Sequence, residues 1–162
     1  MLGQSLPPPA ACYPRVFSFG DSLADTGNYR FVYANDTAEP ALWPPYGETF
    51  FHNATGHFSD GRLVIDFIAE ALGLPFVPPY WGGSAAADFA CGANFAVGGA
   101  TALGPNFFRA RGFDMGDIVH LDEEMKWFRH LLDPLCPDDL PFLHFSLFEE
   151  QFFHLAPWGN DF

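Results

Sequence analysis

The sequence has few basic residues. Its 162 residues include 7 Lys and Arg against 20 Asp and Glu, which gives a net charge of −13 at pH 7. Nucleic acids and anionic membrane surfaces attract clustered Lys and Arg, so the composition argues against both as partners. No apolar run approaches the length of a transmembrane span, and stable membrane insertion is therefore not expected.

Cysteine is also scarce. The three cysteines, Cys12, Cys91 and Cys136, allow at most one disulfide, and their spacing fits no zinc pattern. We therefore expect no metal site. Residues 1–15 contain neither the basic stretch nor the apolar core of a secretory signal peptide.

The most informative stretch is residues 16–28, VFSFGDSLADTGN. Its apolar start, followed by Gly20 and Asp21, predicts a buried strand and tight turn over residues 16–22. Ser22 would then lie at the carboxyl end of a strand, where open α/β sheets bind ligands. Local composition leaves two interpretations open, a nucleophile or an ordinary turn with a helix cap, because Asp and Ser favour both.

The clearest predicted helix begins near residue 62. Its apolar residues recur at helical spacing and are expected to pack against the sheet. These residues are Val64, Phe67, Ile68, Ala71 and Leu72. Ser59 or Asp60 can cap its start, and Gly73 predicts its end.

A second strand and a second helix are predicted downstream. Residues 94–101, NFAVGGAT, form a short apolar run stopped by glycines, which predicts a strand and a turn. Apolar residues then recur at three- and four-residue steps, and Pro134 and Pro137 are expected to end this amphipathic helix. The apolar positions are Ile118, Leu121, Met125, Phe128 and Leu132. The order strand, helix, strand, helix predicts an α/β fold with a parallel sheet and helices on its faces.

Three blocks closely resemble, in the same order, the signatures of the plant GDSL esterase/lipase family of SGNH hydrolases. They are FSFGDSLADTGN, FSDGRLVIDFIAEALGLP (residues 58–75) and GANFAVGGAT (residues 92–101). The resemblance covers about residues 12–140. It implies a three-layer α/β/α sandwich with a parallel sheet, flavodoxin-like and here incomplete, over residues 15–162. It also implies serine-dependent hydrolysis of carboxylic esters without a metal or other cofactor. Residues 1–14, which include three consecutive prolines, are expected to be a disordered leader.

The resemblance also implies roles for particular residues. Ser22 aligns with the catalytic serine of the family. The backbone N–H groups of Ser22 and of a glycine in residues 92–101, hereafter called the second block, would stabilise the oxyanion. This glycine is Gly99 rather than Gly98. Asn160, in the sequence Gly-Asn-Asp, resembles the third oxyanion donor.

The general base is the component that the sequence supplies least clearly. A serine hydroxyl is activated when a histidine takes its proton and an acid orients that histidine. The family takes this pair from an Asp-x-x-His block near the end of a longer chain, whereas the match here, Asp117 to His120, lies upstream of Asn160. Five other histidines lack an acid at the family spacing: His52, His57, His130, His144 and His154. We therefore expect a truncated product with little or no esterase turnover.

Two functions of different classes remain open at this point. One is the ester hydrolase, weakly active or inactive as this chain, and the other is a non-catalytic remnant that binds acyl or glycan ligands or a partner protein. The substrate implied by the resemblance is a small-molecule ester, whether a lipid, an acetylated glycan or a phenolic ester. The resemblance further implies a secreted protein, and Asn35 and Asn53 each begin an N-glycosylation acceptor pattern.

Overall fold

The structure, a computed structural model, describes residues 15–35 and 40–135. The leader predicted at 1–14 and the last part of the domain predicted at 15–162 lie outside these ranges. The described strands are β1 (Val16–Ser18) and β2 (Gly92–Asn94), and the α-helices are α1 (Tyr29–Val32), α2 (Val64–Ala71), α3 (Pro105–Arg109) and α4 (Leu121–Leu135). Single 3-10 turns occur at Pro40–Leu42, Tyr80–Gly82 and Ala86–Phe89.

The two strands pair in parallel, as the sequence predicts. Val16 lies opposite Gly92, and Ser18 lies opposite Asn94. A Cβ at Gly92, where φ is 118°, would lie 1.8 Å from the carbonyl oxygen of Val16, so only glycine allows this approach. On the other edge of β2, Asn94 N–H donates to the carbonyl of Pro78 at 2.8 Å.

The second strand lies earlier in the chain than predicted. The sequence places it at residues 94–101, whereas β2 ends at Asn94. The chain stays hydrogen-bonded to β1 for one more residue, because Phe95 N–H donates to the carbonyl of Ser18 at 2.7 Å. It then turns at Gly98. The prediction started too late because the small residues of β2, Gly-Ala-Asn, have little strand propensity.

Helices cover both faces of the paired strands. Side chains alternate along β1, so Val16 and Phe17 point to opposite faces. Phe17 packs with Phe95 and with Phe128 of α4, at ring-centroid distances of 6.5 and 5.0 Å, whereas Val16 packs against the cluster that contains Ile65 of α2. Each buried side chain of this size stabilises the fold by about 2–3 kcal/mol. The α/β class with helices on the faces of a parallel sheet is thus confirmed.

The helix predicted from residue 62 is present as α2, but its predicted buried face is wrong. Val64 and Phe67 are 67% and 50% exposed. The buried residues of α2 are Ile65, Asp66 and Ala69. Apolar periodicity failed because it counts an aspartate as solvent-facing, whereas Phe67 lies on the surface under the guanidinium of Arg62, 4.0 Å from its ring centroid.

The start of α2 is also capped differently from the prediction. Asp66 Oδ2 accepts the N–H of Leu63 at 2.8 Å, and Asp66 N–H donates to the carbonyl of Leu63 at 3.1 Å. This reciprocal pair replaces the predicted caps Ser59 and Asp60. The predicted end is confirmed, because Gly73 follows the helix with φ 71°.

The second amphipathic helix is confirmed as α4, with a correction at its end. Phe128 and Leu131 are buried, but Pro134 lies inside the last turn and the helix continues to Leu135. A proline there removes one intrahelical hydrogen bond, because its nitrogen carries no hydrogen to donate. None of the helices in the described ranges is long and apolar enough to cross a membrane.

Candidate active site

Ser22 lies in the turn that follows β1. Gly20 has φ 140°, a conformation that residues with side chains rarely adopt. Asp21 closes the turn, since its Oδ1 accepts the N–H of Leu23 at 2.9 Å and its carbonyl accepts the N–H of Asp25 at 3.0 Å. Ser22 is half-buried, and neither its N–H nor its hydroxyl hydrogen-bonds to another described residue. Both groups are therefore free to meet a ligand.

The turn of the second block lies beside the Ser22 turn. Val97 N–H donates to the carbonyl of Gly20 at 3.0 Å. Ser22 and Gly99 each lie two residues beyond this hydrogen-bonded pair, at the carboxyl ends of two parallel neighbours. This edge of the sheet is where open α/β folds place their ligands.

The two glycines of the second block differ in their hydrogen bonds. Gly98 N–H donates to Asp25 Oδ2 at 2.8 Å. Gly99 is exposed with φ 81°, and its N–H makes no hydrogen bond to a described residue. A Cβ at Gly98 would also lie 2.5 Å from the ring of Phe58, whereas one at Gly99 would meet open space. Of the two N–H groups, that of Gly99 is the one available to an oxyanion.

Asp25 joins the two turns through its carboxylate. It accepts the backbone N–H groups of Gly27, Asn28 and Tyr29 at 2.7, 2.6 and 3.1 Å, in addition to that of Gly98. The side chain is fully buried. Burial raises the pKa of the Asp25 carboxyl, against the effect of four N–H donors that favour its ionised form.

Two buried asparagines tie the same turns to the sheet. Asn28 Nδ2 donates to the carbonyls of Asn94 and Ala96 at 2.8 and 2.9 Å, while its Oδ1 accepts the N–H of Trp81 at 3.0 Å. Asn94 Nδ2 donates to the carbonyl of Ala24, two residues after Ser22. The backbone around the candidate site is therefore held by side chains whose polar groups are paired.

A carboxyl group from α4 reaches the turn from another side. Glu124 Oε2 accepts the N–H of Gly20 at 2.9 Å, and Glu124 is 1% exposed. Burial, with additional repulsion from Asp25 and Asp21, raises the pKa of Glu124 to about 8. At neutral pH this carboxyl is therefore mostly protonated.

The described histidines do not hydrogen-bond to Ser22. His120 Nδ1 lies 3.3 Å from the carbonyl of Ile118, and within the described ranges no hydrogen bond joins it to the exposed Asp117. The backbone of His120 nevertheless pairs with Thr101, at the end of the second block. Its position is thus close in the fold to the second block, although its ring is not engaged with the predicted acid.

The other histidines of the described ranges have different partners. His57 is buried, and its Nε2 lies 3.5 Å from Asp66 Oδ2. The remaining two are His52, next to the carbonyl of Glu48, and His130, next to the hydroxyl of Tyr80. In that part of the chain, no group of three or more His, Cys, Asp or Glu could hold a metal ion.

The remaining predicted site residues are Asn160, Asn35 and Asn53. Asn160 lies outside the described residues. Asn35 and Asn53, the predicted glycosylation positions, are both exposed.

Sequence reasoning missed four buried polar residues that shape the site. They are Asp25, Asn28, Asn94 and Glu124. Asp25 and Asn28 carried a usable signal, since both stand in the short polar stretch at residues 25–28, which begins three residues after Ser22. Glu124 carried none, because it follows Asp122 and Glu123 in an acidic first turn, which is typical of an exposed helix start.

Comparisons with known proteins agree on one family. The family model described as GDSL-like Lipase/Acylhydrolase matches residues 16–143. Two GDSL esterase/lipases of Arabidopsis thaliana are 49% and 48% identical over 124 and 134 residues, which cover 76% and 79% of this chain and 31% and 36% of the relatives. The sinapine esterase of Brassica napus is 52% identical over 128 residues, 76% of this chain and 32% of that protein. The chain thus spans about a third of the length of these relatives. No solved structure gives a significant match.

Proposed function

Because the chain belongs to the GDSL-like lipase/acylhydrolase family, we propose that it supplies the nucleophile and oxyanion donors of a serine ester hydrolase. The observation that carries this proposal is the pair of adjacent turns at the carboxyl ends of parallel neighbours. There, the Ser22 hydroxyl and the N–H groups of Ser22 and Gly99 are unpaired among the described residues. Side chains that fix the backbone, such as Asp25, support the same proposal by holding these groups in place.

In the proposed reaction, Ser22 Oγ attacks the carbonyl carbon of the ester while a base takes the hydroxyl proton. The carbonyl oxygen becomes an oxyanion that accepts hydrogen bonds from the N–H groups of Ser22 and Gly99. Each such donor contributes about 3–4 kcal/mol to transition-state stabilisation. The alcohol leaves with the proton, and water then releases the acyl group from Ser22 as a carboxylic acid.

The base in this reaction would be a histidine oriented by an acid. Asp117 and His120 remain the candidate pair, and His120 would have to turn its ring away from the carbonyl of Ile118 to serve. Asn160 remains the candidate third oxyanion donor. Without a base, only ~10³–10⁴-fold catalysis over water remains, so we expect weak turnover from this chain alone.

The substrate class proposed is a small-molecule ester, with lipid, acetylated glycan and phenolic esters as the variants to test. Sinapine belongs in the panel because one relative is named a sinapine esterase. Secretion with N-glycosylation is proposed with it, and the exposure of Asn35 and Asn53 supports modification there. A mobility shift on removing N-glycans from protein expressed through a plant secretory pathway, absent in Asn35→Gln/Asn53→Gln, would test that part.

The test of the proposed function is covalent labelling with a fluorophosphonate, alongside hydrolysis of a p-nitrophenyl ester. We expect slow but site-specific labelling of the chain that Ser22→Ala abolishes, with the labelled peptide containing Ser22. Ser84→Ala is the matched control, because Ser84 is an exposed serine in a different loop. Labelling that survives Ser22→Ala, or no labelling of Ser22 at all, would contradict the proposal. Rapid turnover lost in His120→Ala would instead identify the base.

A further inference from the structure

One buried acidic side chain contacts the nucleophile turn from a distant part of the chain. Glu124 of α4 accepts the N–H of Gly20, and the two residues are 104 positions apart in the sequence. Ester hydrolysis as proposed above gives this carboxyl no chemical step. A buried titratable group costs stability unless its contacts offset that cost, so its place under the turn calls for an explanation.

Gly20 is hydrogen-bonded through both of its backbone polar groups. The carbonyl of Gly20 accepts the N–H of Val97, and its N–H donates to Glu124, so both polar groups of this residue are held. Gly20 has φ 140°, a conformation selected by contacts rather than by intrinsic preference. Ser22 follows two residues later, and any rotation of the Gly20 peptide would change where its hydroxyl and N–H point.

Burial and the neighbouring acidic residues favour the neutral form of the Glu124 carboxyl, and they outweigh the N–H of Gly20, which favours the ionised form. Phe19, which precedes Gly20, packs edge to face with Phe128, which lies four residues after Glu124 in α4, with ring centroids 5.5 Å apart. Asp21 and Asp25 face Glu124 from the turn, and both repel its charge. His120 lies one turn earlier, where its carbonyl accepts the N–H of Glu124 at 3.3 Å. Among the described residues no Lys, Arg or His forms an ion pair with Glu124.

We propose that Glu124 is a positioning residue for Ser22: by accepting the N–H of Gly20, its carboxyl holds this glycine in the conformation that aims the serine. Ionisation of the buried carboxyl would then disturb the turn. The inference rests on the proposed function, because it concerns the reactivity of Ser22. Ionisation would place a charge in a buried site that already faces Asp21 and Asp25, and moving the side chain towards water would relieve the repulsion. Since burial raises the pKa of Glu124 to about 8, we expect the hold on Gly20 to weaken as the pH rises through about 8.

The first test is the pH profile of Ser22 labelling by a fluorophosphonate in the full 162-residue chain. In the unsubstituted chain we expect the rate to fall above pH 8, by up to about tenfold per pH unit. Glu124→Gln keeps an acceptor oxygen but cannot titrate, so it should retain the rate at pH 6.5 within about threefold and lose the alkaline decline. Glu124→Leu, which removes the acceptor, should be about tenfold slower or more at every pH.

The matched control is Glu123→Gln, the same change one residue earlier. Glu123 is ion-paired with the exposed Lys126, and among the described residues none of its hydrogen bonds reaches the turn at residues 20–25. Its profile should coincide with that of the unsubstituted chain. An alkaline decline that persists in Glu124→Gln would overturn the proposal, and so would an unchanged rate in a folded Glu124→Leu.

A second measurement does not depend on reactivity. In ¹⁵N-glycine-labelled protein, the amide resonance of Gly20 should shift with pH around an apparent pKa of about 8, and this shift should be absent in Glu124→Gln. A shift without any Ser22 labelling would overturn the hydrolase proposal while supporting the hold of Glu124 on Gly20. A Gly20 resonance that does not follow Glu124 would overturn the hold itself, whatever the labelling shows.

Discussion

At the scale of single residues, the candidate site depends on which backbone N–H groups the side chains leave unpaired. Asp25 takes the N–H of Gly98, and Glu124 takes that of Gly20, so the N–H groups of Ser22 and Gly99 remain available. Both acids are buried and both have a raised pKa, because burial disfavours their charge. The buried carboxyls therefore determine, together with the turns, which backbone N–H groups remain available to a ligand.

Asp25→Asn tests this role of a buried carboxylate. An amide has one acceptor oxygen where the carboxylate has two, and its NH₂ would face backbone donors. We expect a loss of about 2–4 kcal/mol in the free energy of unfolding, measured with urea. Asp88→Asn is the control, since the exposed Asp88 also accepts backbone N–H groups, at 2.8 and 2.9 Å, but can rely on water. Equal losses in the two variants would contradict the structural role assigned to Asp25.

The same residues show what the sequence can predict about a site. Ser22 and Gly99 stand in short blocks whose turn-forming composition marks them, and their neighbours can be aligned with a family. Glu124 is different, because its burial is produced by the docking of α4 against a turn 104 positions away. Its local sequence is typical of a solvent-exposed helix start, and no local pattern could predict a contact with a residue so distant in the sequence.

At the scale of elements, hydrophobic periodicity predicts that a helix exists more reliably than which face it buries. The elements α2 and α4 are both where the sequence predicts them, and the end of α2 at Gly73 follows from local chemistry. The buried face predicted for α2 was wrong for two reasons. The buried Asp66 accepts a hydrogen bond from the start of its own helix, and Phe67 lies at the surface under Arg62. Both features depend on partners rather than on apolar spacing.

Two alanine substitutions in consecutive positions of α2 distinguish the two faces. Ile65→Ala removes a buried side chain and should lower the free energy of unfolding by about 2–4 kcal/mol. Val64→Ala acts on a side chain that is 67% exposed and should change it by less than about 0.5 kcal/mol. Thermal or urea unfolding of the two variants gives the comparison. A larger loss in the free energy of unfolding for Val64→Ala than for Ile65→Ala would instead support the buried face predicted from periodicity.

At the scale of the whole molecule, the net negative charge and the burial of acidic side chains both make it less favourable to ionise a further carboxyl. The chain carries a net charge of −13, so ionising a further carboxyl increases a repulsion that is already present. The sheet with helices on both faces could be predicted from the order of the elements. The pH at which the fold is most stable could not be predicted from the sequence, because it depends on which of the 20 acidic residues are buried.

The stability of the chain should therefore fall as pH rises from mildly acidic to alkaline values. The folded-state pKa of Glu124 is about 8 and its ordinary value is 4.5, so between these limits the folded state binds more protons than the unfolded state. The contribution of Glu124 is complete below pH 4.5 and is lost progressively up to pH 8, by at most about 1.4 kcal/mol per unit. Burial gives Asp25 the same sign. Urea unfolding at pH 5, 7 and 9 should show a decline that is shallower in Glu124→Gln and unchanged in Glu123→Gln. Parallel declines in all three proteins would show that Glu124 ionises in the folded chain as readily as in the unfolded one.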